Sequence, residues 1–299
     1  LGAEGYALYA FVGTLQGYLI LLNLGAGVGV QRYAGHLRLH PGRLSALLWR
    51  VLKFQALMGA LGALAFALGR NWFAASFFNI HEHPLAVVAG VLFWAAATVP
   101  FTFLINFAVN TIYGGERFAV YNAIMALQSI LIQLAGVAVV AGGYGVLEVA
   151  QAICAVHAAI AAWAMLMVRG ELSKRAEPSA GDWGEFKVFS LKNFVSQLLW
   201  QLTSQGDRLF LLRFLPLSQL GFYSIGAAVA QKLNVFFGAV AVAANPIMTD
   251  LQARGEEERF RRFYLKASEL TLFYVLPVAI LVYFVAPQFM GMWLGQEFG

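Results

Sequence analysis

Eight long apolar runs, separated by short charged stretches, set the architecture of this chain: 6–28, 45–68, 85–110, 119–141, 146–168, 191–213, 221–246 and 270–293. At 1.5 Å per helical residue, each is long enough to cross a hydrocarbon core about 30 Å thick. Their apolar residues are continuous rather than alternating, which argues against an outer-membrane barrel built from strands of period two. Backbone polar groups in hydrocarbon must be satisfied within the segment, so each run predicts a helix. The fold class expected is therefore all-α: a polytopic transmembrane helical bundle with eight spans present. Composition agrees, because 60% hydrophobic and 12% charged residues leave too little polar surface to cover a soluble globule.

The cations orient these spans. Short cytoplasmic loops collect Lys and Arg. One face takes Arg32, Arg38, Arg43, Arg50 and Lys53, then Arg117, then Arg169, Lys174, Arg175, Lys187 and Lys192. Arg254, Arg259, Arg261, Arg262 and Lys266 follow on the same face, while Arg70, Arg208 and Arg213 fall opposite and Lys232 lies inside a span. The expected topology puts residue 1 outside and loop 29–44 in the cytoplasm, in a multi-pass protein of the cell (inner) membrane. The net charge of +5 is then a topology signal, and no nucleic-acid partner is needed to account for it.

A weak internal repeat suggests two lobes. A shift of 216 residues superposes Gly5 on Gly221 and Tyr6 on Phe222, and brings span 6–28 over 221–246 and span 45–68 near 270–293. Both copies enter the membrane from the same side, so the repeat would be parallel. The same shift gives span 191–213 a counterpart before residue 1 and span 85–110 one after residue 299. The expectation is two lobes of about six helices each, twelve or more in all, with the first helix and several last ones absent from this sequence. Domain boundaries follow: 1–168 as an N-terminal lobe, 169–190 as a cytoplasmic linker and 191–299 as the start of a C-terminal lobe. In the linker, Trp183, Phe186 and Phe189 predict an amphipathic lead-in lying at the interface. Segment 250–268 reads as a solvated helix laced by ion pairs.

Polar groups inside the spans are the candidates for function, because in lipid they turn towards the bundle interior or a wet cavity. Asn193, Gln197, Gln201, Ser204 and Arg208 follow one another at spacings of four, four, three and four, which places them on one helical face with Asp207 beside it. Shorter stripes are Gln16 and Asn23, Asn106 and Asn110, and Asn122, Ser129 and Gln133. Such stripes either glue helices together or line a shared cavity. Lys232, near the centre of its span, costs about 2.5–3.5 kcal/mol on insertion scales and calls for a reason. Two readings stand open: an ion pair of Lys232 with Asp207 locking neighbouring helices, or cationic contacts from Lys232 and Arg208 to an anionic substrate.

Other features are structural in character. Cys154 lies alone in an apolar span and reads as a small buried hydrophobe. His81, Glu82 and His83 sit at a membrane edge without further ligands nearby, so no metal site is assigned, and nothing in the sequence asks for a cofactor. Gly13 with Gly17, and Gly25 with Gly29, are GxxxG steps that predict close helix packing. Pro100, Pro246 and Pro277 lie within spans and permit kinks. Gly142–Gly145 predicts a tight turn.

The run Leu1-Gly2-Ala3-Glu4-Gly5-Tyr6-Ala7-Leu8-Tyr9, with Leu22-Asn23-Leu24-Gly25 and Arg32-Tyr33, resembles the second helix of polysaccharide flippases. Gly115-Glu116-Arg117-Phe118, Gln205-Gly206-Asp207-Arg208 and Leu220-Gly221-Phe222-Tyr223-Ser224-Ile225 carry the same resemblance. It points to the O-antigen and exopolysaccharide branch of the multidrug/oligosaccharidyl-lipid/polysaccharide exporter superfamily. The resemblance implies two six-helix lobes around a central cavity, and a lipid-diphosphate-linked oligosaccharide turned from the inner to the outer leaflet by alternating access. It also implies a cationic cavity, which fits Lys232 and Arg208. The expected site adds Asp207, then Gln197, Gln201 and Asn23 for the sugar hydroxyls, with Arg32 and Arg117 at the mouth. The partners implied are the lipid-linked oligosaccharide, the bilayer and polysaccharide polymerase machinery.

Two rivals are weighed against this reading. A multidrug cation antiporter would want a carboxylate inside the first lobe, whereas Glu116 and Glu148 lie at span ends. A membrane sugar polymerase or ligase would want a sizeable external loop with acid–base groups, and loops 69–84, 142–145 and 214–220 are short and nearly uncharged. The expectation is a transporter and not an enzyme.

Overall fold

The computed structural model describes residues 2–76, 84–175, 177, 180–215, 219–228, 230–231, 244, 247–248, 251–252 and 254–294. These residues are almost wholly helical. The helices are α1 (Gly2–Leu19), α2 (Ala26–His36), α3 (Pro41–Ser76), α4 (Leu85–Gly114), α5 (Phe118–Ala141), α6 (Val146–Leu172), α7 (Ala180–Phe214) and α8 (Glu257–Leu294). A polytopic helical membrane bundle is what these residues form. Two compact units separate in the chain, Leu1–Gly221 and Phe222–Gly299.

Five helical stretches are long and apolar enough to cross a membrane: Pro41–Ala74, Leu85–Gly114, Phe118–Ala141, Val146–Leu172 and Glu257–Phe289. A sixth is a bent pair, Leu8–Asn23 with Ala26–His36, turned by 53°. The expected span 6–28 is thus broken near its end, and the first part of the expected loop 29–44 is helical, to His36. A 3-10 turn over Ile20–Asn23 leads into two left-handed residues, Leu24 at φ 49 and Gly25 at φ 75. The helix then restarts, so Arg32 sits on α2 rather than in a loop. The expected span 191–213 lies inside α7, whose polar stripe lowers its hydropathy below that of the other long helices. Most of the expected span 221–246, with Lys232 and Pro246, lies outside the described residues, as do His81, Glu82 and His83.

In the first unit α4 is the central helix. It packs along α3 and α6, and meets α1, α2 and α5 as well. Its buried face includes Leu92, Ala95, Ala96, Val99, Phe103 and Phe107, none more than 3% exposed. Pro100 sits within α4 without interrupting it. By contrast α5 rests on α6 and presents Ile130, Leu134 and Val137 outward, as a lipid-facing helix would. Its polar residues Asn122, Ser129 and Gln133 are not enclosed by this unit. Cys154 is buried at 5% exposure, as expected.

Glycines let α7 come close to α2. An added Cβ on Gly25 would meet the Ser190 carbonyl and the Phe194 nitrogen, and one on Gly29 would meet the Ser190 hydroxyl and the Phe186 ring. That GxxxG step is therefore a packing device. Of the other, Gly17 is packed against Gln201 while Gly13 faces open space. Trp183 and Phe186 stack at 5.5 Å, and Phe186 is 2% exposed against the α2–α4 core, so this lead-in packs onto the bundle through Phe186. Within segment 169–190, α6 runs on to Leu172 and α7 begins at Ala180. Arg43 at the start of α3 grips Asp182 with both guanidinium edges, the Nε donating at 2.9 Å. Ser45 and Trp49 donate to the carbonyl of Leu172, which fixes the end of α6 to α3.

In the second unit α8 is one continuous helix of 38 residues through Pro277 and Pro287. Its first turns carry the expected ladder, with Arg259 on Glu256 at 2.6 Å and Arg262 on Glu258 at 3.7 Å.

Candidate functional site

The break between α1 and α2 positions the first polar group. Asn23 is 3% exposed, and its Oδ1 accepts from the Gly25 N–H at 2.8 Å, closing the turn that the left-handed pair requires. Its Nδ2 donates to Asn106 Oδ1 on α4 at 3.4 Å. Asn110 Nδ2 donates to the Asn106 carbonyl at 2.7 Å, and both α4 asparagines lie against Gly27 of α2. One helical break is thus held by a side-chain amide that also reaches a second helix.

The α7 stripe comes up beside this break. Asn23, Asn106, Asn193, Ser196, Gln197, Trp200 and Gln201 line a partly open cleft of about 470 Å³, together with Ile20 and Leu21. Asn193 donates to the Phe189 carbonyl at 3.0 Å, which turns its amide oxygen free for other partners. Three of the residues expected in the site, Asn23, Gln197 and Gln201, are brought together here. Ser196 and Trp200 were not foreseen. They stand three and seven residues after Asn193, on the same face, and the signal was present in the spacing. Hydropathy had counted Trp200 simply as apolar.

Beyond Gln201 the stripe runs along α1. Arg208 Nη1 donates to Thr14 Oγ1 at 3.4 Å, while its Nε has no partner. Tyr18 Oη, Gln201 Nε2 and Gln205 Oε1 are likewise buried and unpartnered, so four open hydrogen-bonding atoms collect at the α1–α7 seam. Buried polar atoms left open are uncommon, and each points to a water, an ion or a ligand group that completes it. Arg208 lies seven residues beyond Gln201, about 10 Å along the helix. Asp207 is exposed, and its Oδ1 accepts from the Arg208 backbone N–H at 2.8 Å.

Neither of the two arginines expected at the mouth lines this cleft. Arg32 stacks over the Phe189 ring at 4.3 Å and borders a separate hollow of about 280 Å³ with Gln31, Tyr113, Glu116 and Phe118. Arg117 binds the Met167 carbonyl at 3.0 Å and Glu171 at 3.2 Å, which closes the C-terminus of α6. Arg38 pairs with Glu116, a residue held at φ 60. One further polar group escaped the sequence: Gln55 is fully buried in α3 with both amide atoms open. No cluster of three metal-ligating side chains occurs among the described residues.

The described residues thus form a membrane bundle with a broken helix and an amide-lined cleft, with a cation further along the same stripe. The chain resembles an inward-facing multidrug resistance MATE-family transporter of that superfamily with a TM-score of 0.83 at 15% identity, over 100% of this chain and 70% of the other. It resembles a MOP-superfamily transporter from Pyrococcus furiosus, described as having a binding pocket of reversed polarity, with a TM-score of 0.68 at 15% identity, over 97% and 68% of the two chains. At that identity these likenesses speak for the fold. Residues 44–299 match the polysaccharide biosynthesis protein family, and the chain belongs to that family. No curated protein matches the sequence.

Proposed function

We propose that the protein is a flippase that moves a lipid-diphosphate-linked oligosaccharide from the cytoplasmic to the outer leaflet by alternating access, in the assembly of O-antigen or exopolysaccharide. The observation that carries this reading is the cleft of about 470 Å³, lined by amides and placed on the same helical stripe as Arg208. Asn23, Gln197 and Gln201 hold sugar hydroxyls, since an amide both donates and accepts, as a hydroxyl does. Arg208, with its open Nε, holds the diphosphate, and Lys232, which lies outside the described residues, is the second cation assigned to it. Such a step moves the substrate without breaking a bond, so no enzymatic group is required. Membership of the polysaccharide biosynthesis family supports the sugar as cargo.

A multidrug antiporter fits less well. Glu148 is occupied at the start of α6, accepting from the Gly145 N–H at 2.9 Å, and Glu116 is paired with Arg38. The test is replacement of Lys232 and Arg208 together by Gln in the native gene. Surface polymer should fall at least tenfold while the protein remains in the membrane. Undiminished polymer would remove the cationic site from this account.

A further inference from the structure

Trp200 is the odd member of the α7 stripe. Positions 193, 196, 197, 200, 201 and 204 share one face, and five of them carry an amide or a hydroxyl. The sixth is an indole, 73% exposed, standing on the wall of the cleft between Gln197 and Gln201. An aromatic plane flanked by amides is what a sugar ring demands. Its axial C–H face is apolar and needs a flat apolar surface, while its equatorial hydroxyls need groups that both donate and accept. A purely hydrophobic drug would leave the amides unpaired, which costs about 1–3 kcal/mol for each group so buried.

Among the described residues this lining carries no charged side chain. Its nearest cation on the stripe, Arg208, lies about 10 Å further along α7 and leans on Thr14 of α1. A carboxylate seated against these walls gives up part of its hydration and meets no counter-ion among the described lining residues, an unfavourable exchange. We propose that the cleft selects an uncharged saccharide, with Trp200 as its stacking platform, and discriminates against glycans that carry a uronic acid at the ring bound there. This rests on the flippase reading for the origin of the glycan, and adds to it which glycans are carried.

The experiment uses the full-length protein purified in detergent and two soluble probes, a neutral hexose tetrasaccharide and its counterpart with one glucuronic acid. Equilibrium dialysis should show the neutral probe binding about tenfold more tightly than the acidic one. Trp200→Leu should weaken the neutral probe about three- to tenfold, an aromatic contact being worth about 0.5–1.5 kcal/mol, and Trp200→Phe should restore most of it. Gln197→Lys should narrow or invert the preference. Equal binding of the two probes, or no effect of Trp200→Leu, would overturn the inference. Trp200 is exposed, so loss of the fold is not expected, and an unchanged melting temperature checks it. A second arm places lipid-diphosphate-linked forms of the same glycans in proteoliposomes. Discriminating binding without any flipping would refute the flippase reading and leave the saccharide cleft standing. Flipping of both glycans at equal rates would do the reverse.

Discussion

Gly25→Ala is the sharpest test of how the cleft is held. Gly25 has φ 75, where an L-residue carries about 1–2 kcal/mol of strain. An added Cβ would lie 2.8 Å from the Phe194 backbone nitrogen, roughly 0.7 Å inside the distance at which heavy atoms rest, and nearer still to the Ser190 carbonyl. Both opposing atoms are backbone of α7, so relief requires the helices to part; overpacking of this kind costs about 1–3 kcal/mol. The sum is about 2–5 kcal/mol, against a control of opposite sign. Gly13 faces open space, and Gly13→Ala in a helix should stabilise by about 0.4–1 kcal/mol. Gly29→Ala meets side-chain atoms of Ser190 and Phe186, which have more freedom to move, and should fall between. Thermal unfolding of the three variants in detergent, followed by near-UV circular dichroism, gives the order. A Gly25→Ala protein as stable as the parent would refute the close α2–α7 contact and the left-handed turn together.

Two further outcomes are expected from the same helices. Asn23→Ala removes the acceptor of the Gly25 N–H and the partner of Asn106, so it should destabilise by about 1–3 kcal/mol. Combined with Asn106→Ala the losses should be non-additive by at least about 0.5 kcal/mol in a denaturant cycle, and strict additivity would mean that the two amides do not cooperate. Gln55→Met replaces two open buried amide atoms by an apolar chain of similar volume and should stabilise by about 1–3 kcal/mol. Destabilisation in the same unfolding assay would show that the amide has a bound water as partner.

The sequence showed the bundle clearly because a hydrocarbon solvent writes itself into composition, and the α7 stripe because a period of 3.6 survives in the positions of Asn193, Gln197 and Gln201. The break in the first span was less visible. A hydropathy window averages over Asn23-Leu24-Gly25, although an Asn followed by a Gly two residues on is a turn signal whose cause is local: the side chain accepts the glycine N–H. Arg117 is expected from sequence at the mouth of the site, and nothing local reveals that the end of α6 comes back beside it. Gln55 could not be read at all. Its burial depends on which face α3 turns to its neighbours, a tertiary fact without local trace. Trp200 was hidden by its own hydrophobicity, which counts the indole as membrane when its place in the stripe makes it a wall.

The pairing of Arg38 with Glu116, Arg43 with Asp182 and Arg117 with Glu171 separates two periods in the life of this chain. While a nascent span is being inserted, its flanking arginines have no tertiary partner and act as bare charges that retard translocation. Once the helices assemble, these three become struts between distant segments, and the surface potential they lend to the membrane face is largely cancelled. Swapping the exposed pair Arg38 and Glu116 end for end should therefore leave the mature fold nearly indifferent, yet disturb the direction in which the growing chain threads the bilayer.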